Sequence, residues 1–89
     1  MRIEKRVWPE YFEKLATGEK AFEVRLADQE YNPGDVMALR EWDPGKKAYT
    51  GRVLEKRVSY SLKTKDLENK GFWAKNDIEQ KGFVIIGLK

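Results

Sequence analysis

The feature that most constrains this chain is a glycine-stopped helix that runs straight into a two-residue alternation. Pro9 suits a first helical turn, where its missing N–H is not needed. Tyr11, Phe12, Leu15 and Ala16 then recur at helical spacing. Gly18 stands where a left-handed C-cap ends such a helix. From Lys20 to Leu26 the pattern changes to period two, with Phe22, Val24 and Leu26 on one face and Ala21, Glu23 and Arg25 on the other. That predicts a strand whose apolar set faces the core. Glu23 and Arg25 then share a polar face about 7 Å apart along the chain. Lys20, at the turn, can swing into the same space. A cation, a carboxylate and a cation are thereby expected at the mouth between the helix and a small β-barrel.

The remaining pattern is mostly extended. Residues 2–7 predict a first strand with Ile3 and Val7 inward. Asn32-Pro33-Gly34-Asp35 is a turn signal. Val36 to Trp42 reads as a strand with Met37 and Leu39 on the same side. Asp43-Pro44-Gly45 with Lys46 and Lys47 marks a hairpin loop. Tyr49 to Leu62 is long enough for an extended strand, and adjacent Val53 and Leu54 imply a bulge near Gly51. Residues 63–81 are polar, with room for a helical turn or two and Leu67, Phe72, Trp73 and Ile78 as anchors. Gly82 leads into a closing strand, Phe83 to Leu88. The 89 residues fit one domain, 1–89. Its expected class is α+β, mainly β: a small barrel of five or six strands, closed to remove vulnerable edges, with one N-terminal helix at its mouth.

Composition narrows the chemistry. The chain has no cysteine and no histidine, which removes disulfides, thiolate sites, Cys nucleophiles and imidazole catalysis. No metal and no cofactor are expected. No apolar run approaches the ~20 residues of a membrane helix, and no signal peptide is expected from the opening Arg2, Glu4, Lys5 and Arg6. A cytoplasmic monomer without a membrane partner is expected. Residues 1–45 carry seven Lys/Arg against ten Asp/Glu, whereas residues 46–89 carry eleven against five. The local excess over residues 46–65 fits a phosphate-facing surface. There Lys46, Lys47 and Arg52 can grip a phosphodiester while Tyr49 or Tyr60 stacks on a base, with Arg52 ranked ahead of Tyr49. Trp8, Trp42 and Trp73 read as packing anchors, Trp42 beside the hairpin loop being the one to watch.

The ordered combination G-x-K-x-x-E-x-R, P-G-D and Y-T-G-R, preceded by the aromatic helix WPEYFEKLATG, resembles the ASCH domain of the PUA-like superfamily. It is most similar to a short ASCH-like subgroup catalogued as a domain of unknown function. The resemblance spans about Trp8 to Tyr60 and resumes at Gly82 to Leu88. It implies a PUA-like β-barrel with an RNA-binding cleft between helix and barrel, and its signature positions fall on Gly18, Lys20, Glu23 and Arg25. One enzymatic branch, which deacetylates N4-acetylcytidine, carries a Lys and, three residues on, a Thr thought to be the nucleophile. Lys20 matches that Lys, but Glu23 stands where the Thr would be. A hydroxyl nucleophile is thus missing at that place and the amidase activity does not carry over as it stands, although Thr50 or Ser59 could in principle stand in.

The leading expectation is therefore an RNA-binding module without chemistry of its own, using Lys20, Glu23, Arg25, Lys46, Lys47, Tyr49 and Arg52. The alternative is a small hydrolase acting on a modified nucleoside or on RNA, in which Lys20 and Glu23 supply acid–base chemistry. A third is a protein-interaction or regulatory module that binds a small ligand in the same cleft.

Overall fold

One long strand joins the two halves of the sheet. The computed structural model describes residues 1–67 and 82–89, so the expected anchors Phe72, Trp73 and Ile78 lie outside the described residues. The elements are β1 (Arg2–Val7), α1 (Pro9–Thr17), β2 (Phe22–Leu26), β3 (Val36–Asp43), β4 (Ala48–Lys63), a 3-10 turn (Thr64–Leu67) and β5 (Phe83–Leu88). The strand order is β1-β3-β4-β5-β2. β1 runs parallel to β3, and the other pairs are antiparallel. The first part of β4 pairs with β3 and its last part, from Val58, pairs with β5, with a register shift between Val58 and Tyr60. Such a bulge bends a strand, which lets one β4 serve both halves.

The expected turn chemistry is present. Gly18 takes φ 83° and its N–H bonds the Leu15 carbonyl at 3.3 Å, a conformation that a Cβ disfavours. Between β2 and β3, Asp35 N–H donates to the Asn32 carbonyl and Asn32 N–H to the Asp35 carboxylate, both at 3.0 Å. At the β3–β4 hairpin, the Asp43 carboxylate accepts from the backbone of Gly45 and Lys46. The bulge near Gly51 is also real. Arg40 pairs with Val53 and Trp42 with Tyr49, so Glu41 alone stands opposite Thr50, Gly51 and Arg52.

Two expectations are corrected. Among the described residues β1 and β2 are the two ends of the sheet and share no ladder, so the five strands form an open mixed sheet and not a closed barrel. A side chain bridges the seam instead: Arg25 Nη2 donates to the Arg6 carbonyl at 2.9 Å. The second correction concerns β2, whose faces are reversed. Phe22, Val24 and Leu26 are 46%, 51% and 49% exposed, while Glu23 is 4% exposed. β5 explains the reversal, because it buries Val84, Ile86 and Leu88 and pairs them in register with the β2 polar set. Arg25 lies opposite Val84 and Glu23 opposite Ile86, so the outward partners become Val24 with Ile85 and Leu26 with Phe83. β5 is apolar on both faces, and only one of them can face the core.

That core comprises Ile3 and Val7 from β1, Phe12 and Leu15 from α1, Met37 and Leu39 from β3, Val58 from β4, the inward β5 set, and Tyr31. Tyr11 and Ala16, the other members of the helical stripe, stay exposed. Tyr11 is thereby left facing the space above β2.

Candidate functional site

The reversal of β2 builds the site. After Gly18, the Lys20 N–H bonds the Lys14 carbonyl at 3.0 Å and the Ala21 carbonyl accepts from Leu88 N–H at 2.9 Å. These bonds set where Lys20 emerges and where the strand begins. The Glu23 carboxylate is buried between two cations: Lys20 Nζ lies 2.6 Å from Oε1, and Arg25 Nε and Nη2 lie 3.0 and 2.8 Å from Oε2. Lys20, Glu23 and Arg25, expected together from their spacing, are brought together.

Aromatic rings complete the walls. Lys20 Nζ sits 5.3 Å from the Tyr11 ring centre and 5.2 Å from that of Phe22, within cation–π range. Trp8 and Tyr11 are half-exposed and stack with ring centres 6.4 Å apart. Trp8, Tyr11, Lys20, Glu23 and Arg25, together with Arg6, Val7 and Val24, surround a cleft of about 500 Å³ between α1 and the open seam. The acidic group is already matched by two cations, and Arg6 adds a third positive charge to the lining. An anionic or electron-rich planar ligand suits this cleft.

The second expected cluster divides. Arg52 lies against the Phe12 ring, 4.6 Å from its centre, and bonds two carboxylates, Glu41 and Glu13. Thr50 Oγ1 donates to the same Glu41 at 2.6 Å. The three residues opposite Glu41 in the bulge thus deliver two donors to one buried carboxylate. Arg52 fastens α1 to β3 and β4. Tyr49 lies on the opposite face, edge-on to Trp42 with ring centres 5.0 Å apart. Lys46 and Lys47 are exposed on the hairpin loop. Sequence reasoning missed Arg6 and Tyr11 as lining residues of the cleft and read Trp8 as packing. The unbalanced exposure of the helix's aromatic residues becomes visible only once Phe12 and Leu15 take the core positions.

The Glu41 network gives a pH prediction. Hydrogen bonds from Arg52 and then Thr50 hold the Glu41 carboxyl at about 2, below its ordinary 4.5. A carboxyl whose pKa falls on folding stabilises the native state above its unfolded pKa, and that contribution is lost as pH falls towards the folded value. Urea unfolding between pH 6 and 2 is expected to show Glu41→Gln losing less stability than wild type below about pH 4.5. Parallel curves would remove Glu41 from the acid response.

Among the described residues no group of three Asp, Glu, His or Cys side chains could hold a metal ion, and no helix is long and apolar enough to cross a membrane. Fold and site together define a small mainly β domain with a basic, aromatic-walled cleft at the open seam of a mixed sheet. The chain belongs to the family described as a domain of unknown function, DUF3850, whose model matches residues 4–78. It is 36% identical over 56 residues to an uncharacterised 12.9 kDa protein in the GpA 3′ region of Escherichia phage P2. That match covers 63% of this chain and 50% of the relative, so the chain spans about half the length of the curated protein it matches. Its fold is similar to the crystal structure of the hypothetical protein PH0355, with a TM-score of 0.64 at 22% identity, covering 100% of this chain and 98% of that one.

Proposed function

We propose that this protein is a recognition module of the ASCH, PUA-like type that binds RNA or a nucleotide in the cleft between α1 and the sheet. The observation that carries the reading is the buried Glu23 carboxylate, clamped by Lys20 and Arg25 at the floor of a cleft walled by Trp8 and Tyr11. A volume of about 500 Å³ lies in the ordinary range for small-ligand sites. Trp8 and Tyr11 offer ring faces on which a base can stack. Lys20 and Arg25 keep donors for phosphate or carbonyl oxygens, and Glu23 retains lone-pair capacity for one amino group. In a PUA-like reading the β1–β2 seam is the barrel's unclosed side and the cleft opens there.

The test is fluorescence anisotropy with single-stranded, hairpin and transfer RNAs at 50 and 200 mM salt. The expected result is binding that weakens steeply with salt and falls about tenfold in Lys20→Ala and in Arg25→Ala, as loss of one charge-assisted bond of ~1.4 kcal/mol predicts. No binding to any RNA at low salt overturns RNA recognition, and a thermal-shift response to nucleotides alone would favour the mononucleotide form.

The hydrolase reading is favoured by one observation, the 2.6 Å Lys20–Glu23 contact beside the cleft. The candidate hydroxyls are elsewhere. Thr50 is spent on Glu41, and Ser59 lies beside Gly87 on β5. Such an enzyme would need Glu23 to activate water rather than form a covalent intermediate. Incubation with N4-acetylcytidine separates the two: turnover abolished by Lys20→Ala supports hydrolysis, and none discards it.

A further inference from the structure

Beyond the cleft, two arginines stand side by side on the outer face of β1 and β3. Arg6 and Arg40 are direct register partners in the parallel pair. Like charges opposite each other weaken a sheet. Each guanidinium is instead mounted on an aromatic ring: Arg6 is 4.4 Å from the centre of Trp42, and Arg40 is 3.8 Å from that of Tyr49. The two rings brace each other edge to face. Among the described residues Arg6 has no carboxylate partner, and Arg40 has one, Glu4, at 3.8 Å. Glu4 is exposed and already bonded to Arg2 at 3.1 Å. Guanidiniums that stack by their faces leave their N–H edges free to fork onto oxygen anions.

This pair is continuous with the cleft. A hollow of about 280 Å³ is lined by Lys5, Arg6, Arg25, Arg40 and Tyr49, with Glu4 as its acidic residue. Arg6 and Arg25 also line the cleft, so the two spaces meet at the side chain that bridges the β1–β2 seam. A third hollow of about 380 Å³, reaching Asp28 and Phe83, shares Lys5 with the second space and Arg25 with both. The three hollows therefore adjoin along the seam, with Lys5, Arg6 and Arg25 among the walls they share.

We infer that Arg40 and Tyr49, with Arg6 as the link, form a second subsite that holds the phosphodiester and the neighbouring base of a single-stranded oligonucleotide whose first nucleotide occupies the cleft. This rests on the cleft reading and extends it: the ligand is a strand, not a mononucleotide. Phosphate is taken between the Arg6 and Arg40 edges, and the exposed ring of Tyr49 offers a stacking surface for the next base.

The experiment compares a mononucleotide with tetranucleotides of RNA and of DNA, measured by calorimetry on wild type, Arg40→Gln, Tyr49→Leu and Lys20→Ala. Arg40 and Tyr49 lie outside the cleft, and circular dichroism verifies that each variant folds. The wild type is expected to bind a tetranucleotide at least tenfold tighter than the mononucleotide. Arg40→Gln is expected to weaken the tetranucleotide about tenfold and to reduce the logarithmic salt slope by about 0.7, the value for one phosphate on a single strand. Tyr49→Leu is expected to weaken it about fivefold. Neither should change mononucleotide affinity, whereas Lys20→Ala should weaken both ligands. Equal affinity for the two lengths, or an unchanged salt slope in Arg40→Gln, overturns the subsite while leaving the cleft reading intact. A tetranucleotide lost in Arg40→Gln but kept in Lys20→Ala overturns the cleft reading, and with it the placement of a first nucleotide ahead of the subsite. Absence of binding to either length overturns both.

Discussion

Glu23→Ala is expected to lower the unfolding free energy by about 3 kcal/mol, read as a reduced urea midpoint with an unchanged slope. The side chain accepts two hydrogen bonds, one from each cation, makes a further 2.8 Å ion-pair contact with Arg25 Nη2, and is almost wholly buried. Removing it leaves Lys20 and Arg25 facing each other without the charge that held them. Bonds to charged groups contribute about 1.5–3 kcal/mol each, but they do not add fully. Both cations are also partly exposed, so they regain water and the loss stays below the sum. Glu23→Gln keeps the shape and one acceptor oxygen, and about half of that loss is expected. A change under about 0.5 kcal/mol in the alanine variant would show the triad to be an ordinary surface pair. Because Arg25 also spans the seam to the Arg6 carbonyl, hydrogen exchange at the β1 edge should rise with the same substitution.

The second large effect sets two leucines against each other. Leu15→Ala is expected to cost about 3 kcal/mol and Leu26→Ala about 1 kcal/mol or less, measured by the same unfolding curves. Leu15 is 0% exposed and fixes α1 against the core, whereas Leu26 is 49% exposed on the outer face of β2. The chemistry removed is identical, so the difference isolates burial. Leu15→Ala should also weaken ligand binding, because α1 carries Tyr11 and, at its end, Lys20. Equal losses at the two positions would restore the inward reading of the β2 apolar face and with it a different site.

How much of this was legible follows from the range of the interactions. The helix, its glycine stop, the turns at Asn32–Asp35 and Asp43–Lys46, and the bulge at Gly51 are set within a few residues. Each could be read from side-chain type and local backbone preference. The grouping of Lys20, Glu23 and Arg25 was legible for the same reason: one turn and one pleat place them. The assignment of Arg52 to a ligand surface misses a partner eleven residues away, Glu41, and another across the chain, Glu13.

Sequence alone thus determined that a helix ends at Gly18 and that Glu23 and Arg25 project to one side of the next strand. It left open which side faces the interior, because the alternation in β2 offers an apolar and a polar face with equal regularity. Tertiary structure decided that through β5, which buries Val84, Ile86 and Leu88 and carries its partner strand with it. The parallel β1–β3 register, equally non-local, set Arg6 beside Arg40. Strand pairing is chosen by the burial of the whole sheet, and no single segment contains that information.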